Sequence, residues 1–152
     1  MAKADLLARL RAAGDALTAT FRRVPDDAWA QPIRANGYTP HAYLNYAMSL
    51  LELSGNSYLQ SLRENDPIML EAEVDAEARR NVERRKLRAV ATDFDDFQAS
   101  LRSLIILIDM ASDAQIAEPV QGRPREVWFA VLISTLERVN GILQQWLAGR
   151  AP

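Results

Sequence analysis

Apolar positions recur at three- and four-residue steps along four long segments of the chain, the spacing of helices that each bury one face. The first segment runs from about Ala4 to Phe21 and carries Leu6, Leu7, Leu10, Ala13, Leu17 and Phe21 on its stripe. The second opens at Thr39-Pro40, a good N-cap residue followed by proline in the first helical position. Its stripe is Tyr43, Leu44, Ala47, Leu50, Leu51, Tyr58 and Leu62, with Gly55 as a weak point worth about 1 kcal/mol. The third begins near Thr92 and presents Phe94, Phe97, Leu101, Leu104, Ile105 and Ile108. The fourth starts at Pro124, carries Trp128, Val131, Leu132, Leu136, Val139, Leu143 and Trp146, and ends at Gly149. No stretch sustains the period-two alternation of a half-buried strand, so the pattern predicts an all-α fold.

Between the second and third helices, 11 of the 18 residues from Glu71 to Arg88 are charged. This segment reads as a polar helical crossover or as a mobile loop, with Asp66-Pro67 as a candidate cap at its start. The two halves of the chain also echo each other. Pro25-Asp26-Asp27-Ala28-Trp29-Ala30-Gln31-Pro32 follows the first helix, and Ser112-Asp113-Ala114-Gln115-Ile116-Ala117-Glu118-Pro119 follows the third. A glycine (Gly37, Gly122) and a helix-opening proline (Pro40, Pro124) come next in each half. The offsets are 87, 85 and 84 residues, so one helix–turn–helix unit occurs twice in near register. The expected architecture is a single four-helix bundle over residues 1–152. It is made of two pseudo-symmetric helical hairpins, with a long charged crossover between helices 2 and 3.

At 152 residues the chain matches one ordinary domain, and its 49% hydrophobic and 25% charged content is that of a globular protein. With no cysteine there is no disulfide, thiolate metal site or cysteine nucleophile, which fits a reducing compartment. Lys3, Asp5 and Arg9 interrupt any signal-peptide core near the start. The longest apolar run, Val127 to Ile133, is far short of the roughly 20 residues that span a bilayer. A soluble, cytoplasmic domain with no membrane partner is expected. A net charge of −2 argues against general nucleic-acid binding. The basic cluster Arg84-Arg85-Lys86 with Arg88 does not change this, because acidic residues interleave just before it and no aromatic residue stands nearby for stacking.

Tyr38-Thr39-Pro40-His41-Ala42-Tyr43-Leu44-Asn45-Tyr46, Leu136-Glu137-Arg138-Val139-Asn140-Gly141-Ile142-Leu143 and the stretch from Asp75 through Val120 together resemble the DinB/YfiT superfamily. That superfamily includes thiol-dependent transferases and maleylpyruvate isomerase-like proteins. Its metal-binding members place one histidine on the second helix and a pair four residues apart on the fourth. The matching positions here are Tyr46, Leu136 and Asn140, and the chain holds a single histidine, so no three-imidazole site can be made. The resemblance therefore implies a member without the metal, and no cofactor is expected. It would serve as a small-molecule-binding or protein-interaction module. The alternative is a transferase or hydrolase acting on a thiol or reactive small molecule.

The resemblance also implies that Asn45, Tyr46, Glu137 and Asn140 converge at one end of the bundle as a candidate ligand site. A filled-in former site, with Tyr46 and Asn140 bonding each other or water, is the competing reading. His41 lies in the first turn of the second helix with no partner identifiable from sequence, and reads as a surface or capping residue. No G-x-S-x-G elbow and no phosphate-cradling glycine loop is present. Glu52, Glu137 and Asp109 read as solvated or hairpin-facing carboxylates rather than an acid–base set. Finally, Leu104 to Ile108 and Val127 to Ile133 are apolar on every side of their helices. This predicts a surplus face, including Ile106, Leu107, Phe129 and Ile133, that pairs two copies as a homodimer.

Overall fold

A computed structural model describes residues 2–34, 37–64 and 71–150. The described residues are mostly helical: α1 (Lys3–Arg22), α2 (Pro40–Glu64), α3 (Glu71–Arg84), α4 (Val90–Met110), α5 (Asp113–Ala117) and α6 (Arg125–Arg150). The only strands among them are the two-residue β1 (Pro119–Val120) and β2 (Arg123–Pro124), paired antiparallel just before α6. No helix among the described residues is long and apolar enough to cross a membrane. The four segments anticipated from periodicity are α1, α2, α4 and α6, and the charged segment is the helix α3. Asp66-Pro67, its anticipated cap, lies outside the described residues.

Side-chain caps account for the starts of α2 and α5, whereas Ala2 and Ala89 ahead of α1 and α4 supply none. The Thr39 hydroxyl accepts the Ala42 amide at 3.0 Å, capping α2 ahead of Pro40. α5 opens with a complete capping box, in which the Ser112 hydroxyl takes the Gln115 amide and the Gln115 side chain takes the Ser112 amide. α3 has little to bury beyond Ala78, Val82 and Asn81. Pairs along its own surface support it instead: Arg79 with Asp75 at 2.9 Å, and Arg80 and Arg84 with Glu77. The echoed turns share a backbone solution, since Gly37 (φ 84°) and Gly122 (φ 81°) both occupy the left-handed region before the next helix.

The four long helices share one core, in which Leu6, Leu10, Leu17, Phe21, Leu44, Met48, Phe97, Leu104, Ile108, Ile133, Leu136 and Leu143 meet. Contacts across it fix the helix directions. Asp93 of α4 meets His41 and Asn45 of α2, while Gly55 further along α2 lies against Leu104 and Leu107, so α2 and α4 run parallel. Arg9 reaches Ser134 and Glu137 while Thr20 reaches Asn140, so α1 and α6 are also parallel. α1 is antiparallel to α4, as the Lys3 bonds to the Asp109 and Ala111 carbonyls and the Gln98 bond to Thr18 show. α2 is antiparallel to α6 through Ser61 with Arg125 and Tyr58 with Phe129. α1 packs on α4 and α6, and α2 on α3, α4 and α6. The helices consecutive in sequence, α1 with α2 and α4 with α6, lie across the diagonal and barely touch.

This corrects two expectations. The arms of each hairpin do not pack face to face, because the connections after α1 and α4 are long enough to carry the chain across the core. The end of α4 therefore does not lie beside the start of α6, and no joint apolar face forms from them. Phe129 (4% exposed) and Ile133 (0%) are core residues, covered by the two neighbours that flank α6. Leu107 is half-buried, and of the four residues expected at a dimer face only Ile106, 57% exposed, stands outward.

Candidate functional site

A cavity of about 310 Å³ opens between α2, α3 and α6. On α2 it is lined by Tyr46, Leu50, Ser54, Ser57 and Tyr58, steps of three and four that put them on one helix face. α6 contributes Arg125, Trp128, Phe129, Val131, Leu132, Thr135 and Arg138, and the start of α3 closes one side with Ala72, Val74 and Asp75. The walls are thus mainly aliphatic and aromatic, with polar groups at the two ends and serine hydroxyls on one side. That is the usual make-up of a small-molecule pocket.

One polar end is built around Asp75. Its carboxylate accepts a short hydrogen bond from the Tyr46 hydroxyl and a 2.9 Å bond from Arg79 Nε. The Arg79 guanidinium also lies over the rings of Tyr46 and Tyr38. Burial pushes the Tyr46 phenol well above its ordinary value, and its bond to the Asp75 carboxylate adds to the shift. Partial burial acts to raise Asp75, but the bonds from Tyr46 and Arg79 outweigh it and hold the carboxyl below its usual range. Tyr46 is therefore a neutral donor and Asp75 an anion near neutral pH. Arg138 lies close enough to shift both electrostatically, yet has no hydrogen bond or ion pair among the described residues.

The signs give a pH prediction. A carboxyl lowered in the folded state contributes stability above its ordinary value near pH 4, and this is lost as pH falls through the lower folded value. A phenol raised in the folded state contributes stability below about pH 10 that is lost as pH rises through the higher folded value. Tyr46→Phe should remove the alkaline loss and weaken the acid-side contribution of Asp75. Urea midpoints between pH 3 and pH 11 will show both changes, whereas superimposable profiles for the two proteins would reject the coupling.

At the other end Arg125 is 2% exposed and bound on every side. It donates to the Ser61 hydroxyl (3.0 Å) and carbonyl (3.2 Å), the Gln115 carbonyl (2.9 Å) and the Glu118 carboxylate (2.8 Å). It also lies 5.9 Å from the Tyr58 ring centroid. Its charge is neutralised within the protein, and its visible task is to join the end of α2 to the turn ahead of α6.

A second polar cluster lies away from the cavity, where the parallel helices α2 and α4 begin side by side. Asp93, with 0% exposure, accepts from His41 Nε2 at 2.8 Å and Asn45 Nδ2 at 3.1 Å. Its other oxygen is 3.3 Å from Arg88 Nε, close enough for an ion pair but not aligned as a hydrogen bond. Asp93 lies in the first turn of α4 and is bonded from the first turns of α2, and a negative charge is favoured near helix starts.

The four expected ligand residues are thus not brought together. Tyr46 lines the cavity, and Asn45, one position before it, faces Asp93 instead. Glu137 pairs with Arg9, and Asn140 bonds to Thr20, both on the α1 side of α6. Tyr46 and Asn140 do not bond each other. At about 100° per residue, the α6 positions that face α2 are 128, 131, 132, 135 and 138, so Thr135 and Arg138 stand nearest Tyr46 along the cavity wall. Sequence reasoning missed Asp75, Asp93, Arg125 and Arg138. The only advance signal was for Asp75, whose four-residue spacing to Arg79 marks an intrahelical pair. Among the described residues no three histidine, aspartate or glutamate side chains are grouped to hold a metal ion. Comparison of the chain with family models, with curated proteins and with solved structures gives no match, so the likeness to the DinB/YfiT superfamily rests on layout alone.

Proposed function

We propose that this protein is a four-helix bundle of two pseudo-symmetric helix–turn–helix halves, DinB-like but without that superfamily's metal ligands, that binds a small amphipathic molecule between α2, α3 and α6. The single observation behind the binding reading is the cavity of about 310 Å³ with apolar walls and an arginine lacking an ion-pair partner at one end. The twofold reading of the bundle is supported by its pairings. Exchanging α1 with α4 and α2 with α6 maps the parallel pair α1–α6 onto α4–α2 and leaves each antiparallel pair on itself. Binding is favoured over catalysis because Ser54 and Ser57 have no imidazole beside them. The one histidine–aspartate pair, His41 with Asp93, is outside the cavity lining.

The test is thermal unfolding with a panel of small amphiphiles. A ligand at one hundred times its Kd stabilises the folded state by about 2.7 kcal/mol. For a chain of this size that corresponds to a rise of about 5–10 °C in Tm. Val131→Trp, which fills the cavity from α6, should abolish the rise while keeping the helical circular-dichroism signal. Equal shifts in both proteins, or none in the wild type across the panel, would defeat the proposal.

A further inference from the structure

The charges around the cavity, taken one by one, say what kind of head group it suits. Asp75 is neutralised by Arg79, and both of its oxygens are already bonded, one by Tyr46 and one by Arg79. Arg125 is neutralised by Glu118 and its donors are spent on Ser61, Gln115 and Glu118. Arg138 alone among the lining charges has no ion-pair or hydrogen-bond partner among the described residues. The cavity therefore carries one surplus positive charge, at its Tyr46 end. The Tyr46 phenol is neutral near neutral pH, the more so for its burial, and adds no repulsion to an incoming anion.

Shape sets the rest of the molecule. From Tyr46 to Tyr58 on α2 is twelve residues, about 18 Å along the helix axis. Lining residues follow one another along α2 over that whole span, and an extended chain can lie against all of them. Leu50, Val131, Leu132 and Phe129 give such a chain apolar walls, and Ser54 and Ser57 bring hydroxyls to one side.

We infer that the cavity takes a linear monocarboxylate, with its carboxylate on the Arg138 guanidinium and its hydrocarbon chain running between α2 and α6 towards Phe129. This rests on the cavity reading above. A carboxylate suits the planar fork of arginine, which offers two parallel N–H donors. A single charge suits the single unpaired cation, and an ammonium head would be repelled.

Titration calorimetry with octanoate, 1-octanol, octylammonium and octyl phosphate separates the two claims. Octanol reports on the cavity alone, and the ratio of octanoate to octanol reports on Arg138. Octanoate should bind at least 10-fold more tightly than octanol or octylammonium. Arg138→Gln, at an exposed position, should remove that advantage and leave octanol unchanged, with Arg138→Lys in between. Equal affinity for octanoate and octanol, or an octanoate affinity indifferent to Arg138→Gln, overturns the carboxylate assignment while the cavity stands. Tighter binding of octyl phosphate than of octanoate overturns the single-charge assignment. If octanol, octanoate and octyl phosphate all fail to bind, the cavity reading fails with it.

Discussion

Replacing His41 by leucine and Arg88 by methionine together should lower the unfolding free energy by about 3–5 kcal/mol, the loss seen when a buried charge is stripped of its partners. Asp93 sits between the first turns of α2 and α4 with none of its surface exposed. The double variant leaves the carboxylate only the Asn45 amide, 3.1 Å from one oxygen, and takes away the His41 bond and the Arg88 charge. The two helix N-termini still favour the anion, but by about 1 kcal/mol apiece at most in an ordinary setting, too little to replace a vanished solvation shell. Adding Asp93→Leu should then recover much of the loss, because removing all the charged members avoids leaving one of them orphaned. Urea denaturation of the three proteins measures both steps. A double variant within about 0.5 kcal/mol of wild type, the range of ordinary surface substitutions, would show that Asp93 is solvated or flanked in some other way.

Helix existence was legible in the sequence because the apolar stripes are long and strictly spaced. Leu6-Leu10-Leu17 and Leu136-Val139-Leu143 are buried in the structure as the period requires. The Thr39-Pro40 start was legible for the same kind of reason, since an N-cap acts within one turn and needs no knowledge of the fold. The pairing of the helices was not. Periodicity says that a helix has an apolar face but not which helix meets it, and a connection such as 111–124 can return to a neighbour or cross to the diagonal. The apolar run Val127 to Ile133 illustrates the error. Read alone it looked like surplus surface, whereas α6 buries Phe129 and Ile133 between two flanking helices and turns Val131 towards the cavity.

The candidate site was legible in one residue out of four. Tyr46 lines the cavity because its position on α2 repeats in register with Leu50, Ser54 and Ser57. Glu137 and Asn140 were assigned by spacing to a motif, and that spacing fixes their separation but not the rotation of α6 about its axis. Each position turns the side chain by about 100°, so Arg138 faces the cavity while Asn140, two positions on and roughly opposite, faces Thr20 on α1. Asp75 and Asp93 were hidden among many other carboxylates of a charged sequence. What sets them apart is the long-range partner, Tyr46 for one and His41 for the other, and local pattern carries no such information.

Arg125→Met should cost about 3 kcal/mol or more, and should act most strongly on the turn that leads into α6. Arginine at this position is nearly dry, and its four hydrogen bonds join the last turn of α2 at Ser61 to α5 at Gln115 and to Glu118 just beyond it. Methionine keeps much of the apolar stem against Tyr58 but leaves the Ser61 and Gln115 carbonyls without their donor, at about 1–3 kcal/mol for each group that water cannot reach. Glu118, whose side chain is half exposed, re-solvates readily and adds little to the loss. Lysine should recover only part of the stability, since one ammonium cannot reach along the divergent directions that the guanidinium serves. For a chain of this length, 3 kcal/mol corresponds to a fall in Tm of about 6–12 °C. Hydrogen exchange locates the effect. The Ile116 amide, bonded to Ser112, and the Arg125 position amide, bonded to Glu118, should lose protection beyond the global drop, while amides in the middle of α1 and α4 follow the global drop alone. Arg125→Met within about 1 kcal/mol of wild type, or uniform loss of protection across all helices, would mean that the turn is held by its capping box and by the buried Ile116 rather than by this arginine.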